Sequence, residues 1–195
     1  MNPPPEEPYT YPASRKEHPV AAPATINYGR LMAVMVALLV AAIIGWINLS
    51  PRTHKLQTKS MMKGIEIALK GYQTEYNRCL LVEMQLPGDQ NLVFEGEILI
   101  ALMAESTKYN PRKVRFFDPP VARRKRGGAW RDGSGNWQYR DDMGNPIMIR
   151  YDADHDGKTT DPDDSNIQIV APFLLFAAGM DRNLATTRDN IKSWY

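Results

Sequence analysis

The sequence predicts an α+β protein in which a long amino-terminal helix, apolar throughout its first half and amphipathic in its second, packs on a small antiparallel sheet. Three observations carry this. Leu31 to Asn48 holds no charged residue and is long enough, at about 1.5 Å per residue, to cross most of a bilayer's hydrocarbon layer. Beyond Pro51, Met62, Ile65, Leu69, Tyr72 and Tyr76 recur at steps of three and four among Lys59, Lys63, Glu66, Lys70 and Glu75, the pattern of a helix with one buried face. The last third of the chain holds β-branched and aromatic runs separated by Pro, Gly, Asn and Asp.

In chain order, residues 1–29 read as a disordered, proline-rich leader or cytoplasmic tail. Pro3, Pro4, Pro5, Pro8, Pro12, Pro19 and Pro23 and the scarcity of aliphatic residues leave too little apolar surface to offset the entropy of ordering. Residues 30–49 read as a transmembrane helix. No small-residue cleavage site of the secretory kind follows Ile47, so the span is expected to be a retained anchor. Residues 50–195 read as one head domain that includes the amphipathic half of the long helix. Leu86 to Asp89 is a turn, Phe94 to Met103 a short second helix, and Val114 to Phe117 a brief strand ahead of the Asp118-Pro-Pro break. Pro146 to Tyr151 and Asn166 to Ala178 are strands, the second interrupted at Pro172.

Charge is nearly balanced, 24 basic against 22 acidic residues, so no global field points to nucleic acid. One basic run, Arg123 to Arg126, is followed by Trp130, Trp137 and Tyr139, which leaves a nucleic-acid surface open against the plainer reading of a solvated loop. The single cysteine, Cys79, excludes an intrachain disulfide and is expected as a half-buried free thiol. The three histidines have no metal-binding spacing, and no nucleophile elbow, phosphate loop or dinucleotide fingerprint is present, so no enzymatic activity is expected. Arg15, Lys16 and Arg30 precede the span, and Arg52, Lys55, Lys59 and Lys63 follow it. That count on its own slightly favours a head facing the cytoplasm.

One motif carries chemistry. Between Asp152 and Asp163, carboxylates stand at alternate positions with Gly157 at the turn and a further carboxylate at the twelfth place, as calcium loops require. This predicts Asp152, Asp154, Asp156 and Asp163 as side-chain ligands, Lys158 through its carbonyl, and Thr160 directly or through water. The other reading is an acidic turn between strands. The strand-like flanks argue against paired helices around the loop.

The order of apolar helix, proline, amphipathic helix ending Ala68-Leu-Lys-Gly-Tyr72-Gln-Thr-Glu-Tyr-Asn-Arg78, then Asp142-Met-Gly-Asn-Pro-Ile147, Ala178-Gly-Met-Asp181 and Asp189-Asn-Ile-Lys-Ser-Trp194 resembles the major pseudopilin of type II secretion systems, and type IV pilin-like proteins more broadly. The resemblance runs from about Leu31 to the end. It implies a pilin-like fold and a structural, non-catalytic subunit that assembles with itself or with other pilin-like subunits through its apolar helix. It also implies residence in the inner membrane by a single pass, with the carboxyl-terminal head in the periplasm. Calcium is implied in the loop before the last motif, between Asp181 and Asp189. Prepilin processing is implied between Gly29 and Arg30. Arg30 stands where the family prefers Phe or Met, and Val34 where it carries a Glu, so inefficient removal of the leader is expected. The alternative from another class is a stand-alone, membrane-anchored module that binds calcium or another ligand.

Overall fold

The computed structural model describes residues 28–194, the side chains at 30 and 44–51 excepted. The predicted leader falls outside these residues but for its last two positions. The chain divides into two compact units, residues 1–42 and 43–195, and α1 (Tyr28–Tyr76) contributes to both.

In the first unit every described side chain from Leu31 to Ala42 is exposed, including Leu31, Met32, Val34, Met35, Val36, Leu38, Leu39 and Val40. Among the described residues no helix is long and apolar enough to cross a membrane. The predicted span of 30–49 lies partly outside them.

The second unit is α+β. After α1 come a single-turn α2 (Leu80–Glu83), β1 (Leu92–Val93) and α3 (Gly96–Leu102), then the strands β2 (Gly128–Arg131), β3 (Trp137–Arg140), β4 (Ile147–Tyr151), β5 (Thr159–Thr160), β6 (Gln168–Ile169), β7 (Phe173–Ala177) and β8 (Ile191–Lys192). The main sheet has the order β1-β4-β7-β8, antiparallel throughout, and β2-β3 and β5-β6 form two hairpins.

The amphipathic stripe of α1 faces the core, with Tyr76 at its end partly buried. Met62, Ile65, Ala68, Leu69 and Tyr72 are buried in one apolar cluster. From the sheet the same cluster takes Ile147, Ile149 and Tyr151 of β4, Phe173, Leu175 and Ala177 of β7, and Ile191 of β8. These alternate positions face one another in register, Ile147 with Ala177, Ile149 with Leu175 and Tyr151 with Phe173, because a strand sends every second side chain to the same face. Met148, Leu174 and Phe176 point to the other face and are buried as well, with Phe176 edge-on to Trp194. Burial on both faces explains why β7 is apolar without interruption. Pro172 divides β6 from β7, as its lack of an amide donor requires.

Phe94 to Met103 is helical from Gly96. Val114 to Phe117 is not a strand. The amides of Phe116 and Phe117 both donate to the carbonyl of Leu102 at the end of α3, so this segment caps a helix instead of pairing in a sheet. Both rings then pack inward, Phe117 against Phe94 and Tyr139, and Phe116 against Tyr72 and Tyr76. The Tyr72 phenol lies 2.8 Å from Glu83 Oε2 and 2.6 Å from the Tyr109 carbonyl, so its single proton serves one acceptor at a time. Burial first, and then the neighbouring Glu83 carboxylate, pushes its ionisation well above the ordinary range.

Truncating Leu69 to Ala removes a buried γ-branched side chain from the helix seam and should cost about 2 to 5 kcal/mol, whereas Leu56→Ala, at a position 68% exposed, should cost almost nothing. Denaturant unfolding of the detergent-solubilised chain measures both. Equal midpoints for the two variants would place the seam elsewhere.

Candidate metal centre

Tyr151 ends β4, and the pairing with the neighbouring chain continues for one residue as the Asp152 amide donates to the Pro172 carbonyl at 3.0 Å. That hydrogen bond fixes Asp152 at the rim of the sheet, where it is 6% exposed. The chain then turns sharply, His155 and Gly157 both taking the left-handed backbone conformation, which costs glycine little. The turn is tied by its own carboxylates. Asp152 Oδ2 accepts from the Gly157 amide at 2.8 Å, Asp154 Oδ1 from the Asp156 amide at 3.4 Å, and Asp156 Oδ1 from the Lys158 amide at 2.8 Å.

One oxygen from each of Asp152, Asp154 and Asp156 lies within 4.8 Å of the others. Two ligand oxygens on opposite sides of a calcium ion, with bonds of about 2.4 Å, stand about that far apart. Asp152 Oδ1 is buried and has no hydrogen-bond partner, a costly state for an acceptor unless something electropositive meets it. Burial raises the Asp152 carboxyl, yet hydrogen bonds from the Gly157 amide and the Asp154 carboxyl hold it below the ordinary carboxylate range. Asp154 is raised in turn by that contact with Asp152. A divalent ion between the two carboxylates would relieve the repulsion that sets them apart. Asp152 and His155 also line a cleft of about 430 Å³, together with Arg78, Cys79, Glu83 and Phe173. Cys79 is free and half-buried.

Of the rest of the predicted twelve-residue ligand set, the Asp163 carboxylate does not join this cluster. Lys158 follows the turn with its side chain exposed. Thr160 lies in β5, where its carbonyl accepts from Arg150 and its hydroxyl from Gln168. Asp163 is held by a different cation, since its Oδ2 stands 2.7 Å from Lys192 Nζ while Oδ1 accepts from Asn190. Asp161, 2% exposed, joins the same lysine with both oxygens, at 3.2 and 3.3 Å, and Lys192 also lies over the Trp194 ring. Sequence reasoning missed Asp161, Asn190 and Lys192, which stand some thirty residues apart with no spacing rule between the two groups.

The second predicted calcium loop is arranged differently. Asp189 Oδ2 accepts from the Asp181 amide at 3.4 Å, and Asp181 Oδ1 accepts from Asn183. The Leu184 carbonyl is taken by Asn190. Asp189 Oδ1 is buried without a partner, but Asp181 and Asp189 belong to no convergent set of three carboxylates among the described residues. The donors present therefore fit a divalent cation better at Asp152, Asp154 and Asp156 than between Asp181 and Asp189.

Gly29 is an exposed residue in the first turn of α1, and the side chain of Arg30 lies outside the described residues. Arg123 to Arg126 form an exposed turn ahead of the β2-β3 hairpin, and Arg123 and Arg126 bond to each other through their backbones. Trp137 is half-buried beneath Arg131, and Trp130 beneath Arg140, so neither indole is an open platform for a base. Searches against protein families, curated proteins and solved structures found no match.

Lys192→Met should leave the buried Asp161 and the half-buried Asp163 beside each other without their cation and lower stability by about 3 to 5 kcal/mol at neutral pH. Burial raises Asp161, but the Asp163 amide and Lys192 bring it below its ordinary value of 3.8. Lys192, lowered by burial and raised more by the two carboxylates, lies above its ordinary 10.5. The stabilisation from Asp161 is thus present above the ordinary carboxylate value and lost as pH falls through the lowered one. That from Lys192 is present below the ordinary lysine value and lost as pH rises through the raised one. The gap in melting temperature between wild type and variant should be widest at neutral pH and close at both extremes; a gap independent of pH would mean the lysine acts through packing alone.

Calcium should raise the melting temperature in proportion to the logarithm of its concentration over the dissociation constant. Asp154→Asn/Asp156→Asn should abolish the shift, and Asp181→Asn/Asp189→Asn should leave it intact. Loss with the second pair alone would move the site to the later loop.

Proposed function

We propose that this chain is a structural, pseudopilin-like subunit of a type II secretion or type IV pilus-like apparatus, anchored and assembled through the apolar half of α1, with calcium stapling a connection in its head. The observation that carries this reading is the contrast within α1. From Leu31 to Ala42 the described side chains are apolar and exposed around the whole circumference, while from Met62 to Tyr72 one stripe is buried in the core and the opposite side carries Lys63, Glu66 and Lys70, joined by ion pairs. A helix that is apolar all round needs an apolar environment on every side. Lipid supplies this to a single copy, and the same helix of neighbouring subunits supplies it in a filament.

The arrangement of the head agrees with a scaffold role. Its core is closed by aromatic packing, and several of its titratable groups are tied to structural partners: Glu83 to Tyr72, Glu95 to Arg140, and Asp161 to Lys192. The order of the pseudopilin-like sequence motifs adds the direction of insertion, a single pass in the inner membrane with the head in the periplasm, and adds other pilin-like subunits, or further copies of this chain, as partners. The second reading, a stand-alone anchored calcium module, is favoured by the Asp152, Asp154 and Asp156 cluster. The two differ in that only the filament subunit brings pilin-like partners with it on purification from native membranes.

Val40→Asp places a charge near the middle of the apolar stretch, which costs roughly 2.5 to 3.5 kcal/mol on the insertion scale. The variant should lose most of its membrane association on flotation, while Gln57→Asp should float like wild type. Wild-type protein released from membranes by alkaline carbonate would refute the anchor.

A further inference from the structure

The basic run that the sequence singled out finds no use in the scaffold, and the fold gives it a definite address. Arg123, Arg124, Lys125 and Arg126 are all exposed, and among the described residues none of them has an acidic side-chain partner. The turn they form is bound to the level at which α1 enters the head. The Gly127 amide donates to the Asp141 carbonyl at 2.8 Å. Asp141 is buried beside Thr58 of α1, and Asp142 is paired with His54 of α1. The Arg126 stem also packs over Gly144 of the same loop.

Further cations stand at this level. Arg52 and Lys55 are exposed on α1. A cleft beside them is lined by His54, Lys55, Met180, Arg188 and Asp189, so Arg188 belongs to the same zone. Its acids, Asp142 paired with His54 and Asp189 in the cleft, are outnumbered by these cations. Exposed apolar side chains lie among the cations, Val121 at 84%, Leu56 at 68% and Met180 at 51%. Cations mixed with solvent-facing aliphatic groups are the composition that suits a lipid headgroup region.

We infer that the Arg123–Arg126 turn, with Arg52, Lys55 and Arg188, is a basic collar that docks the head on the anionic phospholipid headgroups of the membrane holding its own anchor. The inference rests on the anchor proposed above. Arg52 follows the last residue of the predicted span, Leu49, by three positions, and His54 by five, a rise of about 8 Å along a helix. That is about one Debye length from the headgroup layer at physiological ionic strength, about 8 Å, where the potential of the phosphates has fallen to roughly a third and still acts on the collar. Each basic residue brought to an anionic surface favours the docked state by about fivefold, and a turn with four in succession is held firmly. At the other end of the helix, Lys108 lies beside Tyr109, whose carbonyl meets Tyr72. The eighteen residues between His54 and Tyr72 span about 27 Å, which places Lys108 beyond the reach of the same field.

Lys125 and Lys108 therefore form an internal pair of reporters. The full chain is reconstituted into vesicles of phosphatidylcholine alone or of phosphatidylcholine mixed with phosphatidylglycerol, and amine acetylation at each lysine is followed by mass spectrometry. Lys125 should be modified at least fivefold more slowly in the anionic vesicles. High salt should restore its rate, Lys108 should react alike in both, and Arg123→Ser/Arg124→Asn should remove most of the protection without changing the melting temperature. Equal rates for Lys125 in the two lipids, in protein that floats with both, would overturn the collar and leave the anchor standing. Protein that does not float with neutral vesicles would overturn both. Protection of Lys125 in neutral vesicles by an added DNA duplex, with none from phosphatidylglycerol, would assign the turn to nucleic acid and overturn the lipid proposal.

Discussion

The buried stripe of α1, Met62, Ile65, Ala68, Leu69 and Tyr72, is the constraint on which the rest of the head depends. Strands as short as β1 and β8, two residues each, contribute too few ladder hydrogen bonds to hold a sheet by themselves. They persist because β4 and β7 present an unbroken inner face of Ile147, Ile149, Tyr151, Phe173, Leu175 and Ala177 to the helix. Each such side chain contributes about 1.5 to 3 kcal/mol when taken from water. The aromatic residues close the ends of this contact. Tyr72 and Tyr76 meet Phe116 at one edge, while Phe94, Phe117 and Tyr139 pack edge to face at another. Hydrogen bonds then fix the loops to the helix, Tyr76 with Asn110 at 2.6 Å and Thr58 with Asp141.

Outside the apolar core, electrostatics organise the acidic loop. The acidic stretch from Asp152 to Asp164 carries six carboxylates, which would repel one another if they faced the same solvent. The fold divides them. Lys192, delivered by the final strand, neutralises Asp161 and Asp163 and ties the carboxyl terminus to the β5-β6 region. Asp152, Asp154 and Asp156 are left together with no ion pair to a basic side chain among the described residues, and one oxygen of the buried member is unpartnered. A divalent cation held by Asp152, Asp154 and Asp156 would do there the work that the Lys192 ammonium does at Asp161 and Asp163.

Periodicity made the helix seam legible, since Met62, Ile65, Leu69 and Tyr72 can share one side only at helical spacing. It also gave β4 and the division of the later strand at Pro172. It failed at Val114 to Phe117, where alternating apolar residues suggest a strand and the amides instead complete the end of α3. The β2-β3 hairpin was hidden by its composition. Trp130, Trp137 and Tyr139 drew attention as aromatic neighbours of a basic run, while the turn Asp132-Gly-Ser-Gly-Asn136 between them, in which Asp132 Oδ1 accepts from Ser134 and Asn136, was the overlooked signal. Within the candidate site, the local group Asp152, Asp154 and Asp156 was readable because its members lie within five residues. Asp163 was assigned to it by spacing alone, and only the three-dimensional arrival of Lys192 gives that carboxylate another role.

The central claim is that the exposed apolar half of α1 is covered by lipid and by the same helix of neighbouring subunits, and disulfide trapping in native membranes tests it most directly. With Cys79 replaced by serine, single cysteines are introduced around the helix at Met35, Leu38, Leu39 and Ala42, and the membranes are oxidised. The account predicts disulfide-bonded dimers at the positions on one side of the helix and none from a cysteine at the exposed Thr107 in the head. The absence of dimers at all four helix positions, in protein that remains in the membrane, would contradict assembly through this helix.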